Sequence, residues 1–362
     1  MPCQASLKLC YNVIMKINIT KLKNLRSLLR TNKLEGLIIS NYTDIKYFIG
    51  EFFNDGEAVL LITLKQIIVF SRSLYESPFK NKFKEAVFIS EDKNRPEALV
   101  KEARKLKLKK LAFDENKEFY SAAKVYLKAG FKESSSLISV LRTSKTEEEL
   151  KLMRKATQIS MTAFKNIQKY IKAGITEKEL RRKLEDEMTA LGGQGLSFDM
   201  RVSFGANTAN PHHVCDNTKL TKNTAVLFDW GTKYQEYCAD MTRSFWFGPN
   251  APKEYKTILS LVKKAHDKVA AQAKYKMTGA QIDRISREVI EQGGYGKYFT
   301  HRTGHGIGMQ DHELADISQL NDKPILENYC FSVEPGIYLE GKYGVRWEDC
   351  FYMTKKGIKQ IK

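Results

Sequence analysis

Two segments of this chain carry an acid where the surrounding residues are apolar. Ala225-Val226-Leu227-Phe228-Asp229-Trp230-Gly231 and Tyr237-Cys238-Ala239-Asp240-Met241-Thr242-Arg243-Ser244-Phe245 each read as a strand holding one carboxylate. A hairpin centred between Tyr234 and Gln235 would set Asp229 opposite Asp240, with Cβ atoms roughly 5 Å apart. The arrangement recurs downstream. Phe331-Ser332-Val333-Glu334-Pro335-Gly336-Ile337-Tyr338 returns through Val345-Arg346-Trp347-Glu348, and a turn centred on Gly341 sets Glu334 opposite Glu348. Like charges facing across an apolar strand pair must take up protons or share a cation. Two divalent ions would balance four carboxylates, and hard oxygen donors suit manganese and related ions.

An imidazole is within reach of this chemistry and widens the choice to cobalt or zinc. Gly304-His305-Gly306-Ile307-Gly308 places a histidine among three glycines, where backbone can approach closely. The other five histidines are His212 and His213 after Pro211, His301 and His312 on either side of His305, and His266, alone on a helix and read as structural. His312-Glu313 lacks the second histidine of an HExxH zinc motif. One Asp in a strand is ordinarily a bulge or edge residue, and one histidine is ordinarily hydrogen-bonded in a core. Two facing acid pairs with a glycine-flanked histidine point jointly to a metal centre.

The elements that position these residues fall into two parts. From about residue 19 to 140, helix-like and strand-like patterns alternate, as in an α/β domain. Ile19–Leu29 has helical spacing, Gly36–Ser40 is a short apolar run, Ala58–Thr63 and Gln66–Phe70 read as a hairpin, and Pro96–Lys105 as a charged helix before a strand at Lys110–Phe113. A boundary falls near Leu141–Lys145. Beyond it Thr146-Glu147-Glu148-Glu149 supplies an N-cap and acidic first turn for a long helix reaching towards Ile171. Thr176 and Thr278 each open a further amphipathic helix that stops at a Gly-Gly pair, each follows another long helix, and each precedes strands, which predicts an internal duplication.

The chain has 362 residues, 42% hydrophobic and 28% charged, enough for two domains with sizeable cores. No stretch approaches a membrane-spanning run. The net charge of +18 invites a nucleic-acid partner, but clusters such as Lys105-Lys107-Lys109-Lys110 lack interleaved aromatics, and solvated lysine-rich faces are the expectation. Six cysteines without a CxxC pair read as reduced thiols of a cytoplasmic protein. Residues 1–14 lack a continuous apolar core and are expected to be a disordered extension rather than a signal peptide.

Phe228-Asp229-Trp230-Gly231, Asp240-Met241-Thr242-Arg243, Gly304–Gly308, Val333-Glu334-Pro335-Gly336 and Val345–Asp349 together resemble the pita-bread metallopeptidases, the family of methionine aminopeptidase, aminopeptidase P and prolidase. The resemblance covers about residues 145–362. The preceding part resembles the creatinase/prolidase N-terminal domain, with Asn41–Phe48 like its early strand and turn. It implies an α+β protein: a pita-bread catalytic domain with an internal pseudo-twofold repeat (143–362) behind a smaller α/β domain (15–142). It further implies that Asp229 binds one metal, that His305 and Glu334 bind the other, and that Asp240 and Glu348 bridge. By the same resemblance Glu334 relays a proton, His212 and His312 orient substrate and steady an oxyanion, and Arg346 supports ligands and substrate. His213 and His301 are further candidates. The implied activity is Xaa-Pro aminopeptidase, cutting peptides with proline second, with Mn2+ expected and a homodimer as the family assembly. No nucleic-acid or membrane partner is expected. The alternatives are a prolidase and, behind it, a non-catalytic binding module. Dipeptide-specific members carry a basic residue after the second histidine, and between His312 and Lys323 this chain has none.

Overall fold

The computed structural model describes residues 17–50, 52–135 and 137–362, so the expected extension at 1–14 lies outside the described residues. The chain divides into two compact units between Leu141 and Arg142.

In the first unit, α1 (Ile19–Thr31) precedes β1 (Gly36–Ile39), α2 (Tyr42–Ile49), β2 (Ala58–Thr63) and β3 (Ile67–Ser71). Then come α3 (Glu76–Lys82), β4 (Val87–Ser90), α4 (Arg95–Lys105), β5 (Leu111–Phe113), α5 (Tyr120–Lys128), β6 (Lys132–Glu133) and α6 (Leu137–Thr143), whose last two residues already belong to the second unit. The strands form one mixed sheet in the order β4-β3-β2-β1-β5-β6. Every residue of β2 and β3 is buried, as in strands covered on both faces. Leu61, Ile68, Phe70, Phe113 and Tyr126 belong to a core against the sheet. The segment Asn41–Phe48 departs from the expected strand and turn. The Asn41 side chain accepts from the Asp44 amide and so caps a helix, α2, instead.

The second unit is built twice from one plan. Its first half runs α7 (Glu147–Ile167), α8 (Glu177–Ala190), β7 (Arg201–Phe204), β8 (Thr224–Trp230), β9 (Lys233–Tyr234), β10 (Tyr237–Cys238) and β11 (Met241–Phe247). Its second half opens with α9 (Lys253–Gln272), α10 (Gly279–Gln292), β12 (Gly304–Gly306) and β13 (Glu313–Ile317). It closes with β14 (Cys330–Val333), β15 (Gly336–Leu339), β16 (Tyr343–Arg346), β17 (Asp349–Thr354) and β18 (Gly357–Gln360). Thr146, Thr176 and Thr278 each close a capping box with the residue three further on, satisfying N–H groups that a helix start leaves unpaired. The halves match in detail. Gly174 and Lys276 both take positive φ, and Leu220 and Ile325 donate to the carbonyls of Ile175 and Met277 at the same 2.8 Å. These are the bonds of a duplicated unit, as the repeated caps and glycine stops predicted.

The strands order as β11-β8-β7 and β13-β12-β14-β17-β18, and an isolated bridge from Thr242 to Glu348 joins the two halves. Cys215, Cys238, Cys330 and Cys350 are buried free thiols. Among the described residues no helix is long and apolar enough to cross a membrane.

Candidate metal centre

The register of the first hairpin differs from expectation by two residues. β8 and β11 pair with Asp229 opposite Thr242, and Tyr234 pairs with Tyr237. The turn therefore sits on Gln235 and Glu236, both at positive φ (45° and 71°), as a two-residue primed hairpin requires. Asp240 consequently lies diagonal to Asp229, one pleat away, rather than facing it. Gly231 stands across from Asp240, and a Cβ there would collide with the Ala239 carbonyl. The second hairpin keeps its expected register: Gly336 pairs with Arg346 and Leu339 with Tyr343 around Gly341, which takes φ +72°.

Local packing fixes each acid. Trp230, next to Asp229, is fully buried, stacks on Phe164 at 4.4 Å and donates Nε1 to the Ser160 carbonyl at 3.0 Å. The Glu334 amide donates to the Thr303 carbonyl at 2.7 Å, and the Glu348 amide to the Thr242 carbonyl at 3.1 Å. His305 sits in β12 where neighbouring backbone crowds both sides: a Cβ on Gly304 would fall on the Ser332 carbonyl and one on Gly306 on that of Leu314.

Asp229, Asp240, His305, Glu334 and Glu348 all line one cleft of about 480 Å³, together with His212, His312 and Arg346. Ligand atoms of Asp240, His305 and Glu348 lie within 4.8 Å of one another. His305 Nε2 is 3.4 Å from Asp240 Oδ2 and 3.3 Å from Glu334 Oε1. His305 Nδ1 lies 3.1 Å from the Gly306 carbonyl, which places a proton on Nδ1 and turns Nε2 towards the two carboxylates. Asp240 Oδ1 and Glu348 Oε1 are buried and have no hydrogen-bond partner among the described residues. Burial, then the neighbouring acids, pushes both carboxyls well above the usual range. Oxygens without donors, with an imidazole nitrogen turned towards the same point, fit a cation. Glu334 is also pushed up by burial, but His305, His301 and Arg346 outweigh this and hold it below the ordinary value.

Behind the acids, Arg346 is a hub. It donates Nη2 to Asp229 Oδ2 at 2.8 Å, Nε to Thr242 Oγ1 at 2.9 Å and Nη1 to the Tyr338 hydroxyl at 2.9 Å. Thr242 Oγ1 in turn donates to Glu348 Oε2 at 2.7 Å. His301 lines the cleft and places Nε2 2.9 Å from Tyr338 Oη. His312 reaches the cleft with its ring 4.1 Å from that of His305, and His212 lies 3.5 Å from Arg201 Nη2. His213 does not line the cleft; its Nε2 lies 2.7 Å from Glu177. His266 sits 3.3 Å from Asp349, outside the cleft.

Sequence reasoning missed Tyr338, Thr242, Arg201 and Arg302. Strand alternation could have found one of them, because Glu334, Gly336 and Tyr338 share a face and Gly336 pairs with Arg346. Gly336 is where a Cβ would meet the Tyr338 hydroxyl at 2.5 Å. Tyr338→Phe strands one Arg346 N–H in a buried setting, a loss of about 1–3 kcal/mol. The expected result is a fall in kcat of roughly 5- to 100-fold with metal content unchanged, read by steady-state kinetics and metal analysis.

Comparison with known proteins agrees with this geometry. Metallopeptidase family M24 matches residues 151–355, and the creatinase/prolidase N-terminal domain matches residues 21–144. An uncharacterised peptidase of Staphylococcus epidermidis is 32% identical, spanning 94% of this chain and 98% of its own. Among solved structures, the Xaa-Pro dipeptidase of Bacillus anthracis is 30% identical with a TM-score of 0.88, covering 95% of this chain and 97% of that one. The X-Pro aminopeptidase of Thermotoga maritima is 31% identical with a TM-score of 0.84, covering 94% and 96%. The prolidase of Pyrococcus horikoshii is 27% identical with a TM-score of 0.84, covering 94% and 97%. With a pita-bread unit behind a creatinase-type N-terminal unit and these acids around one imidazole, the chain belongs to metallopeptidase family M24.

Proposed function

We propose that this metallopeptidase is an Xaa-Pro aminopeptidase that uses two divalent ions to release the N-terminal residue from peptides with proline second. The observation that carries the reading is the convergence of Asp240, His305 and Glu348, with Glu334 and Asp229 in the same cleft and two buried carboxylate oxygens lacking a donor among the described residues. Asp229 would serve one ion, His305 and Glu334 the other, and Asp240 and Glu348 both. When bound, the ions supply the charge that polarises a scissile carbonyl and acidifies a water. Glu334, held ionised despite burial, can accept a proton in the cleft and return it to the leaving amine. His212 and His312 enter the cleft from separate loops, where an imidazole N–H can meet the carbonyl oxygen as charge develops on it. Arg346 holds Asp229 and, through Thr242, Glu348.

The proline preference follows the family resemblance and the names of the solved neighbours, which include both a dipeptidase and an aminopeptidase. The choice of aminopeptidase rests on the stretch after His312, which has no Lys or Arg before Lys323. A dipeptidase is the second reading, favoured by Arg201 and Arg302 in the cleft lining. Both are engaged, however: Arg302 by Asp316 at 2.7 Å, Arg201 by the Asp199 carbonyl at 2.9 Å and Asp229 at 3.7 Å. Manganese is the ion this oxygen-rich set would select, with cobalt or zinc as alternatives. A homodimeric cytoplasmic enzyme with domains at 15–142 and 143–362 completes the reading. Assay of X-Pro dipeptides against X-Pro tripeptides and longer peptides tests it. The expected kcat/KM is on the order of 10-fold or more higher for the longer substrates, at least 1.4 kcal/mol; preference for dipeptides would establish the second reading.

A further inference from the structure

His212 and His312 are the least secured groups facing the cleft. Both are exposed. Among the described residues, the polar neighbours of their rings are Arg201 Nη2 at 3.5 Å and Asp311 Oδ2 at 3.3 Å. The residue after each one is, by contrast, tightly held.

His213 Nε2 lies 2.7 Å from Glu177 Oε2. Glu177 is fully buried in the first turn of α8. It also accepts from the Phe204 amide at 2.7 Å, Asn207 Nδ2 at 3.0 Å and the Asp216 amide at 3.0 Å. One carboxylate therefore gathers the end of β7, the turn beyond it and the loop through His212 to Asp216. Glu177, His213 and Asp216 are close enough to suggest a metal site. The buried carboxylate is already surrounded by N–H donors, which would repel a cation, so the group is a clamp.

Glu313 repeats the device with the carboxylate on the loop and the buried partners beyond it. Its carboxylate receives Arg142 Nη2 at 2.5 Å, Lys145 Nζ at 3.0 Å and the Met309 amide at 2.9 Å. Gly308 passes so closely that a Cβ would lie 2.5 Å from Glu313 Oε2 and 2.8 Å from Lys145 Cε. The loop carrying His312 is thereby pinned to the segment that leads into α7.

We propose that His213 and Glu313 are positioning residues: each fixes the cleft histidine that precedes it by locking its loop onto a buried polar partner. The proposal rests on the reading of His212 and His312 as substrate-facing groups. Its physical basis is that a misplacement of about 1 Å in a catalytic group can cost on the order of 10²-fold.

The test is a pair of double-mutant cycles in the metal-loaded enzyme, with hydrogen exchange as a second readout. His213→Ala and His212→Ala are each expected to lower kcat/KM by roughly 10- to 100-fold, with the double variant no worse than His212→Ala alone. His213→Gln, whose amide can still donate to Glu177, should recover most of the loss. Amide exchange over residues 205–216 should accelerate in His213→Ala and return to normal in His213→Gln. Glu313→Gln with His312→Ala forms the second cycle, since Gln keeps an acceptor for the Met309 amide and spares the fold the harsher truncation to Ala. Additive losses in both cycles, or unchanged exchange over residues 205–216, would overturn the proposal. Wild-type protein inactive on every X-Pro peptide would overturn the functional reading instead, and the exchange result would still decide whether the clamp exists.

Discussion

Dialysis against a chelator is expected to abolish hydrolysis of X-Pro peptides, and Mn2+ or Co2+ to restore it. The reason lies in the unpaired chemistry of the cleft. Among the described residues Asp240 and Glu348 each hold a buried oxygen with no donor, and His305 Nε2 faces two carboxylates. Without a cation these groups repel one another, and both carboxyls hold protons more tightly than in an unfolded chain. In metal-free protein their contribution to stability is greatest below the unfolded carboxylate pKa of about 4 and is lost as pH rises towards the raised folded values. Bound metal should remove that penalty, so the metal-induced rise in melting temperature is larger at neutral pH than near pH 4. Asp240→Asn carries the same argument to one residue. It should cost at least about 10³-fold in kcat, some 4 kcal/mol, while metal-free Asp240→Asn melts no lower than metal-free wild type because a repelled charge has gone. Full turnover by chelator-treated protein, or by Asp240→Asn, would reject the metal role.

Arg346→Met should have the next largest effect. Arg346 is buried and serves three acceptors at once, Asp229, Thr242 and Tyr338. Methionine fills much of the same volume but leaves Asp229 without its nearest cation and Thr242 without the donor that orients it towards Glu348. Breaking such a buried pair costs about 3–5 kcal/mol, and losing an outer partner of a ligand weakens metal binding by roughly 10- to 100-fold. The expected variant is folded at low temperature, melts earlier, and needs excess Mn2+ to approach a kcat still depressed on the order of 10²-fold, about 2.7 kcal/mol. Arg346→Lys keeps the charge but cannot reach three acceptors with one ammonium, so it should fall between. Activity within threefold of wild type in Arg346→Met would show that the hub is packing alone.

Where the letters of the chain announced a turn, they placed the side chains correctly. Gly341 marks the second hairpin by its composition, and the register around it holds. The first hairpin turns on Gln235 and Glu236, two residues that seldom take positive φ, so nothing in their identity betrayed the turn and Asp240 was placed two positions off. The helices were legible because three threonine caps bound their amphipathic runs. Asn41 misled because one residue type serves turns and helix caps alike. His213 and His301 looked equivalent as letters. Burial sends one to Glu177 and the other to Tyr338 in the cleft, a difference of tertiary packing that spacing does not carry. Thr242 was hidden for the same reason, since its bond to Glu348 exists only once strands from different halves meet, whereas Tyr338 meets Arg346 within one hairpin.

The duplication leaves a lasting mark on what the molecule can be reduced to. Arg201 pairs with Asp229 as Thr303 bonds Glu334, so Ser203 in the first half occupies the place that His305 holds in the second. Of the groups proposed to hold the ions, one half brings Asp229 and Asp240, and the other brings Glu334, Glu348 and His305. Neither set would enclose a cation by itself, because the opposite wall of the cavity belongs to its counterpart. A fragment carrying only one half of the second unit would have to associate with the other half before it could hold an ion.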